Sequence, residues 1–132
     1  MKRAFFKGRV VHGKAVGRTL GVPTLNFDTK PEGLDFGVYV GIVRIVDLDG
    51  CEQKKYSSIA NWGPQPTFNG AEPLLEVHVL DFSDELYGKE VSFEFLKKIR
   101  DIQAFESSEA LKVQIQKDLV EARAFFENLA EL

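Results

Sequence analysis

Every glycine and proline of this 132-residue chain lies before Lys97; the stretch from Lys97 to Leu132 contains neither. Glycine and proline punctuate turns and weaken helix interiors. The boundary therefore divides a β-rich part, residues 4–96, from a helical tail. It marks a change of secondary structure inside one domain, 1–132, since a domain typically holds roughly 100–200 residues. Before the boundary, β-like runs recur at close spacing: Phe5 to Val11, Gly37 to Val46, Tyr56 to Asn61, Leu74 to Leu80 and Val91 to Leu96. Asp49-Gly50 is a hairpin signal and Tyr87-Gly88 a turn signal. Short strands at such spacing predict an antiparallel barrel or sandwich.

The tail predicts one amphipathic helix over 107–131, capped by Ser107 or Ser108 with Glu109 in the favourable first turn. Leu111, Ile115, Leu119, Ala122, Phe126 and Leu129 fall on one stripe at helical spacing. That stripe suits packing on the β barrel.

Composition narrows the classes. The chain is 44% hydrophobic and 28% charged, which excludes intrinsic disorder. Its net charge, 17 − 20 = −3, disfavours a protein that coats nucleic acid or membrane. The single cysteine, Cys51, cannot form an internal disulfide, and two histidines, His12 and His78, give no zinc-type spacing. No apolar run approaches the length of a membrane span, and the amino terminus is not a secretory signal. The expectation is a cytoplasmic monomer.

Four clusters carry chemistry. Gly13, Gly17 and Gly21 stand four apart, with Lys14 and Arg18 each following a glycine. Such a segment lets backbone N–H groups and cations approach an anion. Gly8 to Ala15 nearly spells a P-loop, but Ala15 lacks the metal-binding hydroxyl, and Gly17, Gly21 and Pro23 forbid the helix that should follow. A P-loop NTPase is excluded. In Pro23-Thr24-Leu25-Asn26, Thr24 and Asn26 share one side of an extended segment. Their hydroxyl and amide oxygens suit Mg²⁺, or else serve as a turn residue and a strand cap. Glu76 and His78 share one face of an otherwise apolar strand, opposite Leu75, Val77 and Val79. Either they are a solvated face, or Glu76 is placed to take a proton from an alcohol, with His78 the rival base. Asn61 to Phe68 reads as a stiff proline loop in which Trp62 and Phe68 offer flat apolar faces. Arg100 and Phe105, just before the helix, could hold a planar ligand or serve as a surface salt bridge and a core anchor.

Taken in order, these segments resemble the riboflavin kinase family, including the C-terminal domain of bacterial bifunctional FAD synthetases. Gly8 to Gly21 matches the family's glycine-rich opening. Pro23-Thr24-Leu25-Asn26 matches its Pro-Thr-Ala-Asn motif with Leu25 in place of alanine. Asn61 to Phe68 matches its Asn-x-Gly-x-x-Pro-Thr-Phe segment. Leu75-Glu76-Val77-His78, Leu86 to Glu90 and Phe95 to Asp101 also match, while Ile102 stands where glutamate is usual and Ala104 where a basic residue is common. The resemblance implies a mostly β fold, a small antiparallel Greek-key β barrel with a C-terminal α-helix packed on it. It implies ATP- and Mg²⁺-dependent phosphorylation of riboflavin to FMN and ADP. Glu76 would be the catalytic base. His12, Gly13, Lys14, Gly17, Arg18, Thr24, Asn26, Asn61, Gly63, Pro66 and Thr67 would contact the nucleotide, Thr24 and Asn26 would hold Mg²⁺, and Arg100 and Phe105 would contact the flavin. The FMN adenylyltransferase domain that precedes this one in bacterial relatives is not in these 132 residues, so FAD synthesis is not expected of them; the chain is either a stand-alone kinase or a domain of a longer natural chain with that N-terminal adenylyltransferase. Two other classes compete. A non-catalytic flavin- or nucleotide-binding barrel is disfavoured by the intact Thr24, Asn26 and Glu76. An oligonucleotide-binding barrel using Lys7, Arg9, Lys14 and Arg18 is disfavoured by the acidic balance.

Overall fold

The computed structural model describes residues 4–11, 24–46, 53–65, 70–81 and 86–130. Six strands, β1 (Ala4–Val11), β2 (Leu25–Phe27), β3 (Gly37–Val46), β4 (Gln53–Gln65), β5 (Gly70–Val79) and β6 (Glu90–Arg100), precede one helix, α1 (Ser108–Ala130). The strands close an antiparallel barrel in the order β1-β2-β5-β4-β3-β6. β6 returns to β1 with Ala4 opposite Phe95 and Arg9 opposite Glu90. β3, β4 and β5 are successive neighbours while β6 returns beside β3, which is the Greek-key arrangement that the family resemblance implies.

Alternation decides which side chains fill the barrel. Tyr39, Val43 and Ile45 of β3, Ala60 and Trp62 of β4, Leu75, Val77 and Val79 of β5, and Val91, Phe93 and Phe95 of β6 form the interior. The rings of Phe93 and Phe95 meet edge-on at 4.6 Å, and Phe95 meets Tyr39 at 5.2 Å. Gly41 interrupts the most β-branched strand for a steric reason. A Cβ there would collide with the Glu94 carbonyl oxygen and the Phe93 ring.

The helix covers part of the outer wall. Leu119, Ala122, Phe125 and Phe126 pack on Val38, Val40, Ile59 and Leu80. Ser107 is the cap, its Oγ accepting the Ala110 N–H at 3.1 Å. Leu129, the last residue of the predicted stripe, is 43% exposed and lies outside that cluster. The Tyr87-Gly88 turn forms as expected, Lys89 N–H donating to the Leu86 carbonyl. Asp49-Gly50 and Cys51 fall outside the described residues.

Two boundaries differ from the sequence expectation. β6 runs on to Arg100 instead of ending at Leu96, because register shifts opposite Val38/Tyr39 and Val40/Gly41 break its alternation. Leu96 and Ile99, three apart, consequently both face the helix. β4 includes Asn61 to Gln65, the segment read as a proline loop, with Pro64 at another register shift. A bulge is one of the few places where a strand accepts proline. Among the described residues, no helix is long and apolar enough to cross a membrane.

Candidate functional site

The barrel register assembles a row of residues that are distant in sequence. Asn26 of β2 lies directly opposite Glu76 of β5, and Asn61 of β4 lies opposite Glu76 on its other side. The row continues through Val38, opposite Asn61, to Arg100, opposite Val38. Directly opposed residues project from the same face of the sheet with Cβ atoms roughly 4.5–5.5 Å apart. Leu75 and Val77 fill the interior, so Glu76 projects from the outer wall, as does Val38 beneath the helix. Thr24 immediately precedes β2, two residues from Asn26 and on its side of the chain.

Glu76 is only 6% exposed although it lies on the outer wall. Its Oε1, the Asn61 Oδ1 and the Thr24 Oγ1 are the buried side-chain polar atoms without a hydrogen-bond partner among the described residues. Buried polar atoms are almost always paired, and leaving one unpaired costs about 1–3 kcal/mol. Three such oxygens at the Asn26–Glu76–Asn61 end of the row form a set that a hydroxyl donor or a hard cation would satisfy. Burial also pushes the Glu76 carboxyl above the usual carboxylate range. A base with a raised pKa accepts a proton more readily than a solvated carboxylate. His78, the rival base, sits two residues along the same strand face, opposite Ile59.

The other end of the row is ionic. The Arg100 Nε and Nη2 donate to the two carboxylate oxygens of Asp118 at 2.9 and 2.8 Å, and Nη1 donates to the Asp101 carbonyl at 3.1 Å. Its guanidinium carbon lies 5.8 Å from the centre of the Phe105 ring. Asp118 is buried, and Gln114 Nε2 donates to its Oδ1 at 3.0 Å. Sequence reading missed Asp118 and Gln114. The available signal was an acid at position 118, three residues after Ile115 and four before Ala122, inside the apolar stripe.

Other expectations resolve into packing. Trp62 lies in the core, its Nε1 donating to the Leu34 carbonyl at 3.0 Å, and so offers no ligand face. Gly63 has φ +147°, and a Cβ there would sit 2.9 Å from Ile102 Cγ1. Ile102, in the place of the family's usual glutamate, belongs to the cluster beneath the helix. Lys7 pairs with Glu90, and Arg9 Nη1 donates to the Gly88 carbonyl, so both cations of β1 are engaged within the chain. His12, Gly13, Lys14, Gly17, Arg18, Pro66 and Thr67 lie outside the described residues.

Comparison with known proteins places this arrangement. The flavokinase (riboflavin kinase) family profile matches residues 1–126. The bifunctional riboflavin kinase/FMN adenylyltransferase of Haemophilus influenzae is 44% identical over 120 residues, 90% of this chain and 37% of that protein. The chain thus spans little more than a third of that relative's length. Among solved structures, a chain described as a macrolide-efflux protein from Streptococcus pneumoniae is similar at 36% identity and TM-score 0.75, covering 92% of this chain and 38% of that one. Riboflavin kinase from Trypanosoma brucei is similar at 25% identity and TM-score 0.64, covering 96% of this chain and 82% of that one. With the profile spanning nearly the whole barrel and helix, this chain belongs to the riboflavin kinase family.

Proposed function

We propose that this chain transfers the γ-phosphoryl group of ATP to the terminal ribityl hydroxyl of riboflavin, giving FMN and ADP. Membership of the family supports the reaction, and the observation that carries the site is the trio of unpartnered buried oxygens on Thr24, Asn61 and Glu76. Phosphoryl transfer asks a protein mainly for positioning and charge stabilisation, with a base to orient or deprotonate the acceptor. Glu76 takes that role. The ribityl oxygen forms the new P–O bond, the bond from the γ-phosphorus to the ADP oxygen breaks, and the hydroxyl proton passes to the Glu76 carboxylate. The wall of β5 fixes the direction of that carboxylate, since Leu75 and Val77 are anchored in the core.

Thr24 and Asn26 fit a magnesium ion. Their oxygens are hard ligands, and the Thr24 Oγ1 is buried without a partner among the described residues. Magnesium bound there would supply charge neutralisation on the ATP phosphates. In this reading the nucleotide contacts are Asn61 and Gly63, together with the residues of the glycine-rich segment and Pro66-Thr67 that the family resemblance implies.

Arg100 and Phe105 take the flavin side. Glu76 and Arg100 are three strand steps apart along the row, about 14 Å at roughly 4.8 Å per step. Riboflavin has a length of that order; its hydroxyl end lies at Glu76 and its ring toward Arg100 and Phe105, passing around Val38, which the helix covers, and not along the row. Incubation with ATP, riboflavin and Mg²⁺, followed by chromatography, tests the reading. FMN and ADP in equal amounts are expected; no FMN under varied metal and nucleotide conditions would overturn it.

A further inference from the structure

We propose that Asp118, on the C-terminal helix, is a positioning residue for the flavin side of the site. It holds the plane of the Arg100 guanidinium, and through it Phe105, in the orientation that receives a planar ring. The inference rests on the placement of the flavin given above. The geometry is over-determined. Asp118 occupies the Nε and Nη2 edge of the guanidinium in a two-pronged ion pair, and the Asp101 carbonyl occupies Nη1. Gln114 holds the Asp118 carboxylate from one turn earlier on the helix. An arginine gripped along these edges recognises a heterocycle through the face of its plane, and its guanidinium carbon already lies over one ring, that of Phe105, 5.8 Å from the ring centre.

Packing alone gives little reason for this pair. Asp118 is 4% exposed, at a stripe position flanked by Ile115, Leu119 and Ala122. Buried ion pairs replaced by apolar side chains of similar volume often lose no stability. A leucine at 118 and a methionine at 100 would continue the apolar contact of α1 with the wall. What they would not supply is a fixed, planar cation in the same row as Glu76 and Asn61.

A double-mutant cycle on the full chain tests this, using Arg100→Met, Asp118→Leu and the two combined. Riboflavin affinity is read by flavin fluorescence quenching, ATP KM by turnover and stability by thermal melting. Each single variant is expected to weaken riboflavin binding about tenfold or more, as a displaced positioning group does, with ATP KM within about twofold. The combined variant should bind riboflavin no worse than Arg100→Met, because Asp118 acts only through Arg100, and it should recover melting temperature lost by the singles. If Asp118→Leu fails to fold, Asp118→Asn takes its place in the cycle. Wild-type riboflavin affinity in the Asp118 variant, or effects that multiply in the combination, overturns the role of Asp118 alone. Wild-type affinity in Arg100→Met overturns the flavin placement itself and this inference with it.

Discussion

Glu76→Gln should make the protein less active and more stable, and the sign of the second effect follows from where the carboxylate sits. The side chain is 6% exposed, its Oε1 has no hydrogen-bond partner among the described residues, and burial raises its pKa. A carboxyl whose pKa is higher folded than unfolded binds more protons in the native state. Stability then falls as pH rises from the unfolded value, about 4.3, through the raised folded value. At neutral pH the native state thus carries the cost of desolvating the charge, to be set against about 1–3 kcal/mol for a buried polar group left unsatisfied. Glutamine keeps the shape without the charge. The variant should melt higher than wild type at pH 8, by several degrees for a chain of this size, since about 1 kcal/mol shifts the midpoint of a small domain by roughly 3–6 °C. At about pH 3 and below, well under the unfolded value, Glu76 is protonated in both states and the two proteins should melt together.

The same substitution removes the proton acceptor, and general-base assistance is typically worth about 10²–10⁴-fold. kcat should fall by that factor while the KM values for ATP and riboflavin change little. Wild-type kcat should rise with pH through the raised Glu76 pKa, and the variant should lose that limb. Calorimetry across about pH 3–8 alongside steady-state kinetics checks both halves. A variant that melts lower than wild type at pH 8 would refute the buried-charge argument. If instead His78→Gln abolishes turnover and Glu76→Gln keeps it, the base is the histidine.

Three further outcomes follow from the fold. Thr24→Ala and Asn26→Ala should each raise the Mg²⁺ concentration needed for half-maximal turnover and weaken Mg²⁺-dependent ATP binding in calorimetry, with an unchanged far-ultraviolet spectrum; normal behaviour at limiting Mg²⁺ in both removes the metal assignment. Gly63→Ala should destabilise by more than about 1 kcal/mol in denaturant titration, since its φ is +147° and the new Cβ would press on Ile102. Ser107→Ala should cost about 1 kcal/mol through loss of the cap bond to the Ala110 N–H, with kcat unchanged.

How far the sequence discloses the fold depends on how long each element is and on whether its alternation is clean. β3 is ten residues of nearly continuous β-branched character and appears with the bounds its sequence predicts. β2 is three residues long, too short for any periodicity, and only the Thr24/Asn26 pairing of oxygens draws notice to it. β6 hides its last turn of register behind two bulges, so Lys97 to Arg100 reads as part of the tail. β4 hides its end behind Pro64, a residue that signals a loop until the bulge that tolerates it is seen.

The site divides in the same way. Glu76 is legible because a lone carboxylate within an apolar strand is chemically conspicuous. That Asn26 and Asn61 stand beside it is not, since they lie fifty and fifteen residues away along the chain and meet it only through strand register. No local pattern encodes register across a Greek key; it is set by which faces the interior buries, so Asn61 can be read as a loop residue and still stand beside the base. Asp118 is an intermediate case. A stripe of apolar residues at helical spacing absorbs an acid without losing its appearance, and the habit of treating helix acids as solvated hides it. An acid at a stripe position must be neutralised by a cation from the surface it packs on, and here the arginine at the end of β6, eighteen residues earlier, supplies it.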